Sequence, residues 1–115
     1  MRSYEIGLSF SKLTIEITDV GQDRAVLVYG GEKPHIGCTV MAFPRPSLTG
    51  DGSVSATSSV LNAVGHKDEA ICRMIAEAIA ARENCIVVCT GGFHIDGITP
   101  DQIRELMGKL KDFVQ

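Results

Sequence analysis

Tyr4, Ile6, Leu8 and Phe10 alternate with Ser3, Glu5, Gly7 and Ser9, the period of two that a half-buried strand imposes. Leu13, Ile15 and Ile17 continue the alternation against Thr14, Glu16 and Thr18, and the short Ser11-Lys12 link makes the two runs a hairpin. After a turn at Gly21-Gln22-Asp23, Ala25 to Tyr29 reads as a third, mostly apolar strand. Gly30-Gly31-Glu32-Lys33-Pro34 breaks the pattern, and His35 to Phe43 makes a fourth strand that Pro44-Arg45-Pro46 ends. A loop from Ser47 to Ser53, with Gly50-Asp51-Gly52 at its tip, leads to a fifth strand over Val54 to Leu61 that is unusually rich in Ser and Thr.

From Lys67 to Arg82 the period changes. Ile71, Met74, Ile75, Ala78 and Ile79 fall on one helical face, with Arg73, Glu77 and Arg82 largely opposite. Asn84 closes this helix, and Ile86, Val87 and Val88 form a short buried strand. Thr99-Pro100-Asp101-Gln102 opens a last helix, with Thr99 and Gln102 placed for a reciprocal cap and proline at its first position. Its apolar stripe is Ile103, Leu106, Leu110 and Phe113. The order βββββαβα predicts a single α+β domain over residues 1–115, a mainly antiparallel sheet of about six strands with two helices packed on one face.

Charge narrows the partners. Fourteen acidic residues against 11 basic ones leave a net charge of −3 with no Lys/Arg cluster, which argues against a nucleic-acid surface. No run at the N-terminus has signal-peptide character, and no stretch reaches the ~18 apolar residues of a membrane span. The expected location is the cytoplasm, without a membrane partner. Cys85 and Cys89 fall roughly 13 Å apart along a predicted strand, too far for a disulfide or a shared metal ion. Cys72 lies on a helix stripe and Cys38 in a strand, so all four cysteines are expected to be free and buried.

The polar residues that the core pattern leaves unexplained gather at strand ends and a helix start, where loops carry function on a rigid scaffold. Arg45 stands between Pro44 and Pro46, a stiff stalk that lowers the entropy lost when a guanidinium clamps a phosphate or carboxylate. Gly65-His66-Lys67 opens a helix, whose free N–H groups favour an anion, although Asp68 and Glu69 already bring negative charge to that turn. Ser55, Thr57 and Ser59 share one strand face and Ser58 takes the other; hydroxyls turned inward need a ligand, water or protein partner. His35, His66 and His94 are separate singlets without metal-ligand spacing. No nucleophile elbow, dinucleotide fingerprint or phosphate loop is present.

Taken in order, Pro34-His35-Ile36-Gly37, Pro44-Arg45-Pro46-Ser47, Ser55-Ala56-Thr57-Ser58-Ser59-Val60, Gly65-His66-Lys67-Asp68 and Gly91-Gly92-Phe93-His94-Ile95-Asp96 resemble a known set. They look like the LpdD-like prenylated-flavin chaperone domain, the small D component that accompanies UbiD-type aromatic-acid decarboxylases. The resemblance covers Gly30 to about Thr99, and the remaining ends agree in pattern. It implies a fold similar to the proteasome assembly chaperones. It also implies a non-catalytic accessory protein, supplied through the flavin prenyltransferase pathway. Such a protein binds prenylated FMN (or FMN) and helps deliver or mature it for a UbiD-type decarboxylase.

On those motifs the chemistry of the side chains divides the labour. Arg45 and Lys67, with the N–H groups at His66, are expected to hold the phosphate. Ser47, Thr57 and Ser59 would bond the phosphate or ribityl chain. His35 and His94 would face the ring edge, and Gly37, Gly91 and Gly92 would let backbone approach it. Two other classes fit the same residues: a small metal-dependent or acid-base enzyme using His35, His94 and Asp96, and a ligand-free assembly scaffold. The N-terminal hairpin would leave an edge strand that pairing in a homodimer covers.

Overall fold

The computed structural model describes residues 1–62 and 66–115. Its elements are β1 (Arg2–Gly7), β2 (Lys12–Val20), β3 (Asp23–Gly31), β4 (Cys38–Pro46), β5 (Val54–Asn62), α1 (Lys67–Glu83), β6 (Val87–His94) and α2 (Pro100–Val114). The α+β order is the predicted one. The six strands form one sheet in the order β1-β2-β3-β6-β4-β5, antiparallel throughout except for β3 against β6. The last strand in sequence therefore enters the middle of the sheet, and the β5–α1–β6 connection crosses over β4 to place it there.

One face of the sheet carries the core. Register aligns Ile15 with Val28, Ile17 with Val26, and Val26 and Val40 with Cys89, all buried beneath the helices. α1 covers β4, β5 and β6, and α2 lies beside α1. The buried line of α1 runs through Ile71, Cys72, Ile75, Ala76, Ile79 and Ala80, centred slightly away from Met74 and Ala78. Small residues in that line let the helix approach the strands closely. α2 buries Leu106 and Leu110 and starts with the predicted reciprocal cap between Thr99 and Gln102. All four cysteines are free and buried.

Several boundaries differ from the sequence pattern: β3 starts at Asp23 and runs on through Gly30 and Gly31, held there by its pairing with β2 and β6, and three more differ for reasons of their own. β1 stops at Gly7, and Leu8 to Ser11 make the turn, where the Leu8 N–H donates to the Ser11 carbonyl at 2.9 Å. Leu8 and Phe10 keep their alternation because both pack on the core, Phe10 edge-on to Phe93 at 6.2 Å. β4 begins at Cys38 rather than His35 and continues through both prolines. Its pairing with β6 ends at Ala42, so Pro44 and Pro46 lie where that side of the strand has no ladder to interrupt. β6 runs on through Gly91 and Gly92 to His94, because β3 pairs with it over that whole length.

The second face of the sheet carries no described helix. Glu16, Leu27, Thr39, Met41, Phe43, Thr57, Ser59, Leu61, Val88 and Thr90 point to it by register and alternation. Leu27, Met41 and Phe43 are 44%, 43% and 46% exposed, an apolar centre left open.

Candidate functional site

At the end of the sheet where β3 and β6 both finish, the first turn of α1 brings a carboxylate into the core. Asp68 is only 7% exposed, three and four residues before Ile71 and Cys72 on the buried line of its helix. Its Oδ1 accepts from the Lys67 ammonium and from the Phe93 N–H, both at 3.0 Å, and its Oδ2 meets His35 Nε2 at 3.0 Å. Lys67 also donates to the Phe93 carbonyl. Burial pushes the Asp68 carboxyl upward, but the Phe93 N–H, Lys67 and His35 together outweigh it and hold the group below its ordinary value.

Two glycines make room for this arrangement. A Cβ on Gly92 would stand 2.7 Å from His35 Nε2 and 3.0 Å from Asp68 Oδ2, and one on Gly37 would meet the same two side chains. Gly91 has φ +149, and a Cβ there would lie on the Val28 carbonyl oxygen of β3. The glycines thus admit the protein's own His35–Asp68 pair and the neighbouring strand.

Residues 32–37 form a strap over this end. The N–H groups of Glu32 and Lys33 donate to the His94 carbonyl at 2.8 and 3.3 Å, and that of Gly37 to the Gly91 carbonyl at 2.9 Å. His35 Nδ1 lies 3.0 Å from the Lys33 carbonyl. Between strap and sheet, Leu27, Tyr29, Pro34, His35, Ile36 and Thr90 line a depression of about 290 Å³ on the open face. A second hollow of about 280 Å³ adjoins it, sharing Leu27 and Thr90 and bordered by Glu16 and Val88. Tyr29 donates its hydroxyl to Glu16 at 2.6 Å; that bond, then burial, raises the phenol above its ordinary value.

The predicted site residues separate into two groups, with Ser59 between them opposite Met41 of β4. His35, Gly37, His66, Lys67, Gly91, Gly92 and His94 lie at the β3/β6 end. His66 occupies the N-cap position of α1 without a side-chain cap, and Gly65 lies outside the described residues. Arg45, Ser47 and Thr57 lie at the far end of β4, where Arg45 Nε donates to Thr57 Oγ1 at 2.8 Å. Six residues of β4 separate Thr39, level with Thr90, from Arg45, roughly 20 Å at strand rise. One phosphate cannot be held by Arg45 and Lys67 of the same chain. Arg45, Thr57 and Ser59 do share the open face with the depression, whereas Ser58 faces α1 and bonds Glu77 and Arg73. A hollow of about 370 Å³ lies beside Arg45 and Ser47, against the 50s loop and Asn84.

His94 Nε2 pairs with Asp96 Oδ1 at 2.9 Å, and its ring stands edge-on to His35 at 6.3 Å between centroids. Among the described residues, no group of three or more His, Cys, Asp or Glu is placed to hold a metal ion. None of the described helices is long and apolar enough to cross a membrane.

Asp68 is the site residue that sequence reasoning did not single out, reading it with Glu69 only as negative charge in the first helical turn. The available signal was its spacing: an acid in line with Ile71, Cys72 and Ile75 must be buried, and a buried acid needs partners.

No curated protein sequence matches this chain. Among solved structures the chain is similar to one titled "Crystal Structure of a Novel Chaperone Complex for Yeast 20S Proteasome Assembly", at 13% identity and a TM-score of 0.50, with all of both chains covered. That likeness concerns the fold. A family model described as the prenylated flavin chaperone LpdD-like domain matches residues 9–115, nearly the whole chain, and the protein belongs to that family.

Proposed function

We propose that this protein binds prenylated FMN on the open face of its sheet and passes it to a UbiD-type decarboxylase, without itself catalysing the decarboxylation. The observation that carries this reading is the apolar depression beneath the Pro34-His35-Ile36 strap. A flat ring enlarged by a prenyl unit needs a largely apolar surface with a few polar groups at its margin, as ligand sites generally provide. The two adjoining hollows together offer such a surface, and His35 stands at its margin. Arg45 and Thr57, farther along the same face, are the groups we assign to the phosphate end. Lys67 is less suited to that task, because its ammonium already serves Asp68 and the Phe93 carbonyl. A depression open on one side also suits a carrier that must surrender its ligand to a second protein in the cytoplasm.

The test is co-expression with a flavin prenyltransferase, followed by absorbance and mass spectrometry of the purified protein. Prenylated FMN at close to one per chain is the expected result, and Leu27→Lys should deplete it while the fold is retained. A protein that emerges colourless, and that also fails to bind added FMN or prenylated FMN, would refute the carrier reading.

A further inference from the structure

The polar side chains around the depression have their protons committed inside the protein. Thr90 Oγ1 donates to the Cys38 carbonyl at 3.1 Å, since a carbonyl oxygen can only accept. Thr39 Oγ1, 2.8 Å from Thr90 Oγ1, is therefore the donor of that pair, and its proton is spent as well. Tyr29 gives its hydroxyl proton to Glu16 Oε2 at 2.6 Å. Both ring nitrogens of His35 face acceptors of the protein, the Lys33 carbonyl and Asp68. What the hydroxyls turn to the ligand side is lone pairs. Glu16 adds a carboxylate oxygen, Oε1, that has no hydrogen-bond partner among the described residues. Thr18, the other hydroxyl of the second hollow, stands farther along β2, opposite Ala25.

These acceptors lie in one row across the sheet. Register sets Glu16 of β2 opposite Leu27 of β3, Leu27 opposite Thr90 of β6, and Thr90 opposite Thr39 of β4. Two strand spacings separate Glu16 from Thr90, roughly 10 Å, with the half-exposed Leu27 side chain between them. A planar ring resting on Leu27 meets acceptors at either end, so the edge it presents there must carry donors. A ligand carbonyl turned to Glu16 would set two oxygens face to face with no proton between them.

We infer that Glu16 is a specificity-determining residue of this site, accepting the imide N–H of the isoalloxazine pyrimidine ring and so fixing which end of the ring lies over β2. The inference rests on the flavin reading above and adds to it the orientation of the ring. The imide nitrogen, N3, is the donor that the pyrimidine ring carries between its two carbonyls, and a hydrogen bond to a carboxylate is stronger than one to a neutral acceptor. Tyr29 steadies Glu16 by bonding its other oxygen. Arg45 lies three strands over and toward the far end of β4, so ring and phosphate are gripped apart on the same face.

FMN and its N3-methyl derivative are the probes, each titrated into the full chain and followed by flavin fluorescence. The wild type should bind FMN about tenfold tighter than N3-methyl-FMN, since methylation removes the donor. In Glu16→Gln the Tyr29 hydroxyl keeps the amide oxygen, which turns the amide N–H groups toward the ring. FMN should then weaken to the level of the methylated probe, and the ratio should fall to about one. Glu16→Ala, which also opens space for the methyl group, should give the same ratio. Equal affinities in the wild type, or a preference that survives in both variants, would overturn the inference and leave flavin binding standing. Binding of neither probe would remove both readings together.

Discussion

Asp68 concentrates the chemistry of the β3/β6 end in one residue. Its removal leaves Lys67, His35 and the Phe93 N–H without their common acceptor, so Asp68→Asn should destabilise the fold by about 3 kcal/mol in urea unfolding. Its folded pKa is depressed, so its contribution is fully present above the unfolded value of about 3.9 and fades as pH falls through the folded value. Acid titration should therefore destabilise the wild type more steeply below about pH 4 than it does Asp68→Asn, and parallel curves would contradict the assignment. Arg45 carries a second test. Loss of a charge-assisted phosphate bond worth about 1.5–3 kcal/mol predicts roughly 10- to 150-fold weaker FMN binding in Arg45→Ala. Arg45→Lys should recover only part of it, and riboflavin, lacking the phosphate, should bind wild type and variant alike. Unaltered FMN affinity in Arg45→Ala would move the phosphate to the α1 end. The stiff proline setting of Arg45 was readable from the chain, but its distance from Lys67 was not.

α2 offers a test of both signs within one element. Thr99 caps it with a full reciprocal box, and Thr99→Ala should cost about 1 kcal/mol. Gly108 lies inside the same helix, and a Cβ added there would meet nothing within 4 Å, so Gly108→Ala should stabilise by about 0.5–1 kcal/mol. Thermal unfolding of the two variants should shift in opposite directions; a shift of the same sign in both would mean that the end and middle of α2 do not behave as an exposed helix. Helix ends were legible because caps are local chemistry. Strand ends were less so. β4 passes through Pro44 and Pro46 because its β6 neighbour stops short, and β6 passes through Gly91 and Gly92 because β3 does not.

At the scale of the molecule, β1 is an edge strand of six residues, and its outer row of backbone groups has no strand partner among the described residues. The proposed homodimer covers that row, and light scattering should give about twice the 12.3 kDa chain mass. A monomer throughout the micromolar range would eliminate it. The sequence by itself determined the α+β class, the element order, the free buried cysteines and the helix caps, because period, capping and spacing are properties of neighbouring residues. Only the tertiary structure decided that β6 enters between β3 and β4. That insertion carries the glycines past the Val28 carbonyl and the His35–Asp68 pair, and it leaves Arg45 at the opposite end of the sheet from Lys67. It also decided that one sheet face stays open. These are consequences of pairing between residues far apart in the chain, and nothing in local periodicity specifies which strand will be the neighbour.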